Sequence, residues 1–79
     1  MMSDYKMDIM GDIGLTEYSN IHDYLGIVES QDNFTITLNT ENMNDVNMIS
    51  SMLKDNSFQI YEEGYDKKGN YYINARKKI

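Results

Sequence analysis

The sequence predicts a small α+β domain of ββαββ order, with a four-stranded antiparallel sheet and one central helix packed on one face. Three observations predict it. Met43, Val46, Ile49, Met52 and Leu53 recur at three- and four-residue spacing, which places them on one side of a helix. The segments Phe34-Thr35-Ile36-Thr37-Leu38 and Phe58-Gln59-Ile60 alternate with a period of two, as half-buried strands do. Turn-forming residues separate the extended stretches at Ser30-Gln31-Asp32-Asn33 and Asp66-Lys67-Lys68-Gly69.

Each element has a local cause. Residues 1–14 are polar and acidic, with apolar anchors only at Met7, Ile9, Met10 and Ile13. They read as a flexible acidic N-terminal arm, outside a single domain of residues 15–79. Asp4, Asp8 and Asp12 repeat every four residues and would align on a helix, where like charges disfavour that helix. Residues 15–23 fit a short helix or turn, because Leu15, Tyr18, Ile21 and Leu25 form one stripe and Thr16 can cap it. Residues 24–30 read as the first strand. A two-residue loop at Gln31-Asp32 then sets Ile27 opposite Ile36 and Leu25 opposite Leu38, on one apolar face.

The helix is expected from Thr40, whose hydroxyl can cap it, with Glu41 and Asp45 near its positive end. Lys54 lies in the last turn, and Asn56 is expected to take the left-handed conformation that closes it. Asn42, Asn44, Asn47, Ser50 and Ser51 are poor helix formers, so packing must hold this element. In the second hairpin Asp66 and Gly69 suit the ends of a type I turn. One register sets Ile60 opposite Ala75 and is favoured by a shared apolar face. A one-residue shift, with Gly69 as a bulge, sets Ile60 opposite Arg76, and a bulge at Gly64 would reconcile the two. The other sheet face would carry Tyr24, Val28, Thr35, Thr37, Tyr61 and Tyr72.

Composition bounds the function. A chain of 79 residues makes one domain, and at that size only roughly 60% of the unfolded surface is buried, so dimerisation would help. There is no cysteine, hence no disulfide and no thiolate metal site. No apolar run approaches the roughly 18 residues of a membrane span, and no basic-then-apolar leader opens the chain. A cytoplasmic protein of a bacterial cell is expected. The net charge of −6 is uneven: residues 1–53 hold nine acids and one base, while residues 54–79 hold four acids and six bases. An acidic field repels nucleic acid and attracts basic surfaces.

Motifs for chemistry are weak. His22 is the only histidine and has no histidine or cysteine partner, so a surface or half-buried structural role is expected. Glu62 and Glu63 are adjacent on a strand and point to opposite faces. Asp66, Lys68 and Asn70 alternate like a calcium loop, but a lysine stands at a ligand position. No enzyme, cofactor or metal is expected.

The reading that remains is a small acidic protein-binding module. It would be an inhibitor or modulator, of phage or mobile-element anti-defence type such as an anti-CRISPR, that acts as a nucleic-acid mimic. Its carboxylates would meet a basic, nucleic-acid-binding surface of a larger protein, with Asp23, Glu29, Asp32, Glu41 and Asp45 as the candidate contacts. The alternative is single-stranded nucleic acid held on the C-terminal hairpin by Tyr61, Tyr65 and Tyr72 with Lys67, Lys68 and Arg76. A third reading is a homodimeric regulatory protein that buries the tyrosine face.

Overall fold

A computed structural model of the chain describes residues 4–11, 13–29, 32–39 and 42–78. Six elements follow in order: β1 (Asp4–Met10), α1 (Leu15–Leu25), β2 (Asn33–Asn39), α2 (Met43–Asp55), β3 (Phe58–Tyr65) and β4 (Tyr71–Lys77). The four strands form one open sheet in the order β1-β2-β4-β3. The domain is therefore α+β with helices on one sheet face. The ββαββ order and the all-antiparallel sheet are corrected: the described residues form two helices, and β1 pairs with β2 in parallel.

The first hairpin does not exist. Residues 15–25 continue as one helix because the stripe through Ile21 and Leu25 is buried, and Gly26 ends it with its amide bonded to the Asp23 carbonyl. Ile27 is 59% exposed and Val28 is buried in a loop. The strand beside β2 is instead β1, in residues read as an acidic arm. Tyr5, Met7 and Ile9 turn toward the helices, and Asp4, Lys6, Asp8 and Met10 turn away, so the segment alternates with the period of a strand.

The core is one cluster. Phe34, Ile36 and Leu38 of β2, Ile73 and Ala75 of β4 and Phe58 of β3 meet Ile21 and Leu25 of α1 and Val46, Ile49, Met52 and Leu53 of α2. Tyr24 lies inside this layer, with its ring 5.5 Å from that of Phe34 and 6.0 Å from that of Tyr5. It is not on the outer sheet face, and neither is Val28. Each fully buried large side chain here contributes about 1.5–3 kcal/mol relative to exposure. Met43, expected on the buried stripe, is 49% exposed.

Helix α2 starts at Met43, with Asn42 as its cap; the Asn42 side chain accepts from the Asn44 amide at 3.0 Å. Thr40 lies outside the described residues. At the other end Asn56 stays outside the left-handed region at φ −103°, and Ser57 carries the positive φ of 68° instead. Asn56 serves the end differently: its side-chain amide donates to the Met52 carbonyl at 2.7 Å.

The second hairpin forms, but it uses both registers: the preferred one holds only from Ile60 outward, and next to the turn the one-residue shift with a bulge at Gly69 replaces it, so Glu62 faces Asn74 rather than Ile73. Next to the turn, Tyr65 opposes Tyr71 and Glu63 opposes Ile73; beyond a bulge between Ile60 and Glu62, Ile60 opposes Ala75. The Asp66 amide bonds the Asn70 carbonyl, and Gly69 takes φ +84°, so the turn carries its own glycine bulge. That bulge shifts the strand by one residue. The second bulge, at Tyr61 rather than Gly64, shifts it back and returns Ile60 and Phe58 to the core side.

Candidate protein-binding surface

The sheet face without helices is closed by its own polar side chains. In one row the Asn33 side-chain amide donates to Asp4 at 3.0 Å, while Arg76 donates to the Asn33 side-chain carbonyl at 3.0 and 3.1 Å. The same guanidinium lies 5.4 Å from the Tyr61 ring. In the next row Thr35 donates to Asn74 at 2.7 Å, and Asn74 donates to Glu62 at 2.9 Å. These contacts link all four strands. A surface whose polar groups already satisfy one another has less to gain from a polar partner.

Asp8, Thr37, Asn39, Asp66, Lys67, Lys68 and Asn70 line a wide depression of about 720 Å³ at one end of that face. Its charges are of both signs and it lies open to solvent. Asp66 is engaged by the amides of Lys68 and Asn70, both at 2.9 Å. Among the described residues no group of three or more His, Cys, Asp or Glu is placed to hold a metal ion.

The alternative tyrosine–lysine interface is split between two faces. Tyr61, Tyr72 and Arg76 lie on the outer sheet face. Tyr65 points to the helix side, where its ring packs edge-on against Tyr71 at 5.1 Å and its hydroxyl lies 3.7 Å from the Met43 sulfur. Tyr71 in turn donates to Glu63. That bond, with burial and the nearby Glu63, Tyr65 and Tyr72, pushes the Tyr71 hydroxyl up to about 12. The aromatic side chains therefore do not form one stacking platform beside Lys67 and Lys68. The bulge at Tyr61 is the reason, because it reverses the alternation halfway along β3.

The five candidate acids also separate. Asp32 is 4% exposed and Asp45 is 8% exposed. Asp32 accepts from the Glu29 amide at 3.0 Å, and its own amide donates to the Glu29 carbonyl at 3.1 Å, which closes the loop before β2. Asp45 occupies the first turn of α2 and accepts from the Ile13 amide at 3.5 Å, tying the approach to α1 onto α2. Both carboxylates are largely buried and engaged by backbone amides, which leaves them little surface for a partner. Glu41 lies outside the described residues. Asp23 and Glu29 are exposed.

Sequence reasoning missed an apolar surface on α1, which meets Asp23 through Tyr18. Ile13, Gly14, Leu15, Tyr18 and Met48 line a groove of about 400 Å³ between the start of α1 and the middle of α2. Leu15 is 83% exposed. Along the same helix, Tyr18, Ser19, His22 and Asp23 line a second depression of about 290 Å³. Leu15, Tyr18 and His22 follow helical spacing on the side of α1 away from Tyr24. The signal in the sequence is Leu15, Tyr18 and His22, but the same spacing also lets Leu15 and Tyr18 fit a stripe with Ile21 and Leu25, and only their exposure separates them from it. No helix in the described chain is long and apolar enough to cross a membrane. Comparison with protein-family models, with curated proteins and with solved structures finds no match, so the surface chemistry of α1 is the ground for any functional reading.

Proposed function

We propose that the chain is a small acidic protein-binding module, an inhibitor or modulator of the phage or mobile-element anti-defence kind. It would dock on a basic, nucleic-acid-binding surface of a larger protein, as an anti-CRISPR protein does. One observation supports this reading above others: the outward side of α1 joins an exposed apolar groove at Leu15, Tyr18 and Met48 to a carboxylate at Asp23. Apolar area supplies affinity, and acids on its rim supply steering toward a cationic partner. Nine acids against one base in residues 1–53 favour the same sign of partner. Asp23 and Glu29 are the contacts retained from the sequence.

The experiment is capture of a partner from bacterial lysate, followed by affinity measurements with the purified partner. The expected result is a loss of about ten-fold or more between low and high salt, because exposed charges are screened. Asp23→Lys with Glu29→Lys should weaken binding at low salt only, and Leu15→Ala should weaken it at any salt. Binding that ignores both salt and the double charge reversal would overturn the reading. The tyrosine–lysine hairpin is the second reading. A gel-shift with short single-stranded RNA or DNA tests it, and a shift abolished by Arg76→Ala would favour it over the first.

A further inference from the structure

We infer that β1 pairs with β1 of a second copy of this chain, antiparallel and centred on Met7, to make a continuous eight-stranded sheet. The inference is independent of what α1 meets. Strand β1 is outermost in the sheet, and β2 occupies only its inner side. It runs seven residues in unbroken register with β2, from Asp4 opposite Asn33 to Met10 opposite Asn39. A regular outer strand of that length offers a row of backbone donors and acceptors to another strand.

The charge pattern chooses the occupant and the register. A two-fold axis normal to the sheet keeps both helix layers on one side and lets only residues of the same face oppose one another. The outward residues are Asp4, Lys6, Asp8 and Met10, and the helix-side residues are Tyr5, Met7 and Ile9. Centred on Met7, Lys6 of each copy opposes Asp8 of the other. On the helix side Tyr5 opposes Ile9 and Met7 opposes Met7. Opposite charges and apolar pairs directly across strands are favourable, and like charges are unfavourable. Centring on Lys6 instead would set lysine against lysine and Asp4 against Asp8. Centring on Asp8 would set aspartate against aspartate. An axis lying in the sheet would place outward charges against the apolar side. Centring on Tyr5 would also set Asp4 against Lys6, but it pairs only residues 4–6 of β1, whereas centring on Met7 pairs the whole strand, with Asp4 opposite Met10 at its ends; the two partners are the same strand.

The test is sedimentation velocity and light scattering on the full chain, from about 10 μM to about 1 mM, since a single strand pair is smaller than a standard interface. The expected result is a concentration-dependent dimer. Lys6→Asp sets acid against acid twice and should raise the dissociation constant by roughly ten-fold or more. The swap Lys6→Asp with Asp8→Lys restores both pairs in reversed order and should restore the dimer. Both positions are exposed, and far-UV circular dichroism confirms that each variant is folded. A strict monomer at about 1 mM would overturn the inference. So would a dimer that ignores Lys6→Asp, or one that the swap fails to rescue.

Discussion

Strands β1 and β3 border the sheet on opposite sides, and they treat that position differently. Strand β3 is interrupted: the bulge at Tyr61 breaks its ladder, and Glu62 and Glu63 follow at once. A bulge and adjacent charges both discourage pairing with a further strand. Strand β1 has neither device. Its ladder is unbroken, and its outward charges alternate in sign, so they repel or attract according to register. One border is closed by irregularity and the other is selective by charge.

The largest expected effect concerns how each border strand is anchored. Phe58 of β3 is 1% exposed and contacts Phe34 at a ring distance of 6.1 Å. Phe58→Ala should cost about 3–5 kcal/mol. That is a large share of the roughly 5–15 kcal/mol typical of a domain, and urea unfolding would measure it. Ile9 is the one β1 residue in the core, at 8% exposure. Ile9→Ala should cost about 2–3 kcal/mol, the lower part of the range for such truncations. Equal losses at the two sites would break the comparison, because β1 would then be anchored as firmly as β3.

Removing Tyr61 makes β3 as regular as β1. Ile60 and Glu62 become neighbours that already oppose Ala75 and Asn74. The domain should stay folded, losing about 0.5–1 kcal/mol with the Arg76 contact. It should also associate more readily, which light scattering would report. An unchanged monomer fraction would show that the bulge protects nothing.

Ser57→Gly, where φ is 68°, should stabilise the junction of α2 and β3 by about 1 kcal/mol, measured by the same unfolding experiment. The smallest effect is a titration. Tyr71 is raised from 10.0 to about 12 by its bond to Glu63. Its neutral form is favoured in the folded state, so its contribution is intact below pH 10 and is lost as pH rises toward 12. Absorbance titration should show one tyrosine ionising near 12, and Tyr71→Phe should remove that step.

Much of the C-terminal half was legible in the sequence. Helix α2 kept its stripe at Val46, Ile49, Met52 and Leu53, and the turn at Asp66–Gly69 kept its chemistry. The hairpin register was half legible, because two bulges of opposite effect lie between Gly69 and Ile60 and periodicity alone places neither. The N-terminal half misled for a specific reason. Asp4 and Asp8 are four apart, which is close to a helical turn but also an even number, and even spacing keeps them on one face of a strand. A helix-spaced acidic arm leaves β2 without a neighbour there, and residues 24–30 are the next extended candidate. The apolar stripe there belonged to α1 and was already committed to the core through Ile21 and Leu25. The site was less legible than the fold. Asp32 and Asp45 carry the same charge as Asp23, and only burial and bonds to amides set them apart.

The position of β4 has a consequence for assembly of the molecule. This strand follows every other described element, yet it lies between β2 and β3. Until it arrives, β3 has no neighbour to pair with, and β2 has a ladder on one side only. Nascent chain emerging from a ribosome can therefore form the β1–α1–β2 unit early, while completion waits for residues 71–77. Chains interrupted before that point would present β2 as an open border, and quality-control proteases would find them there.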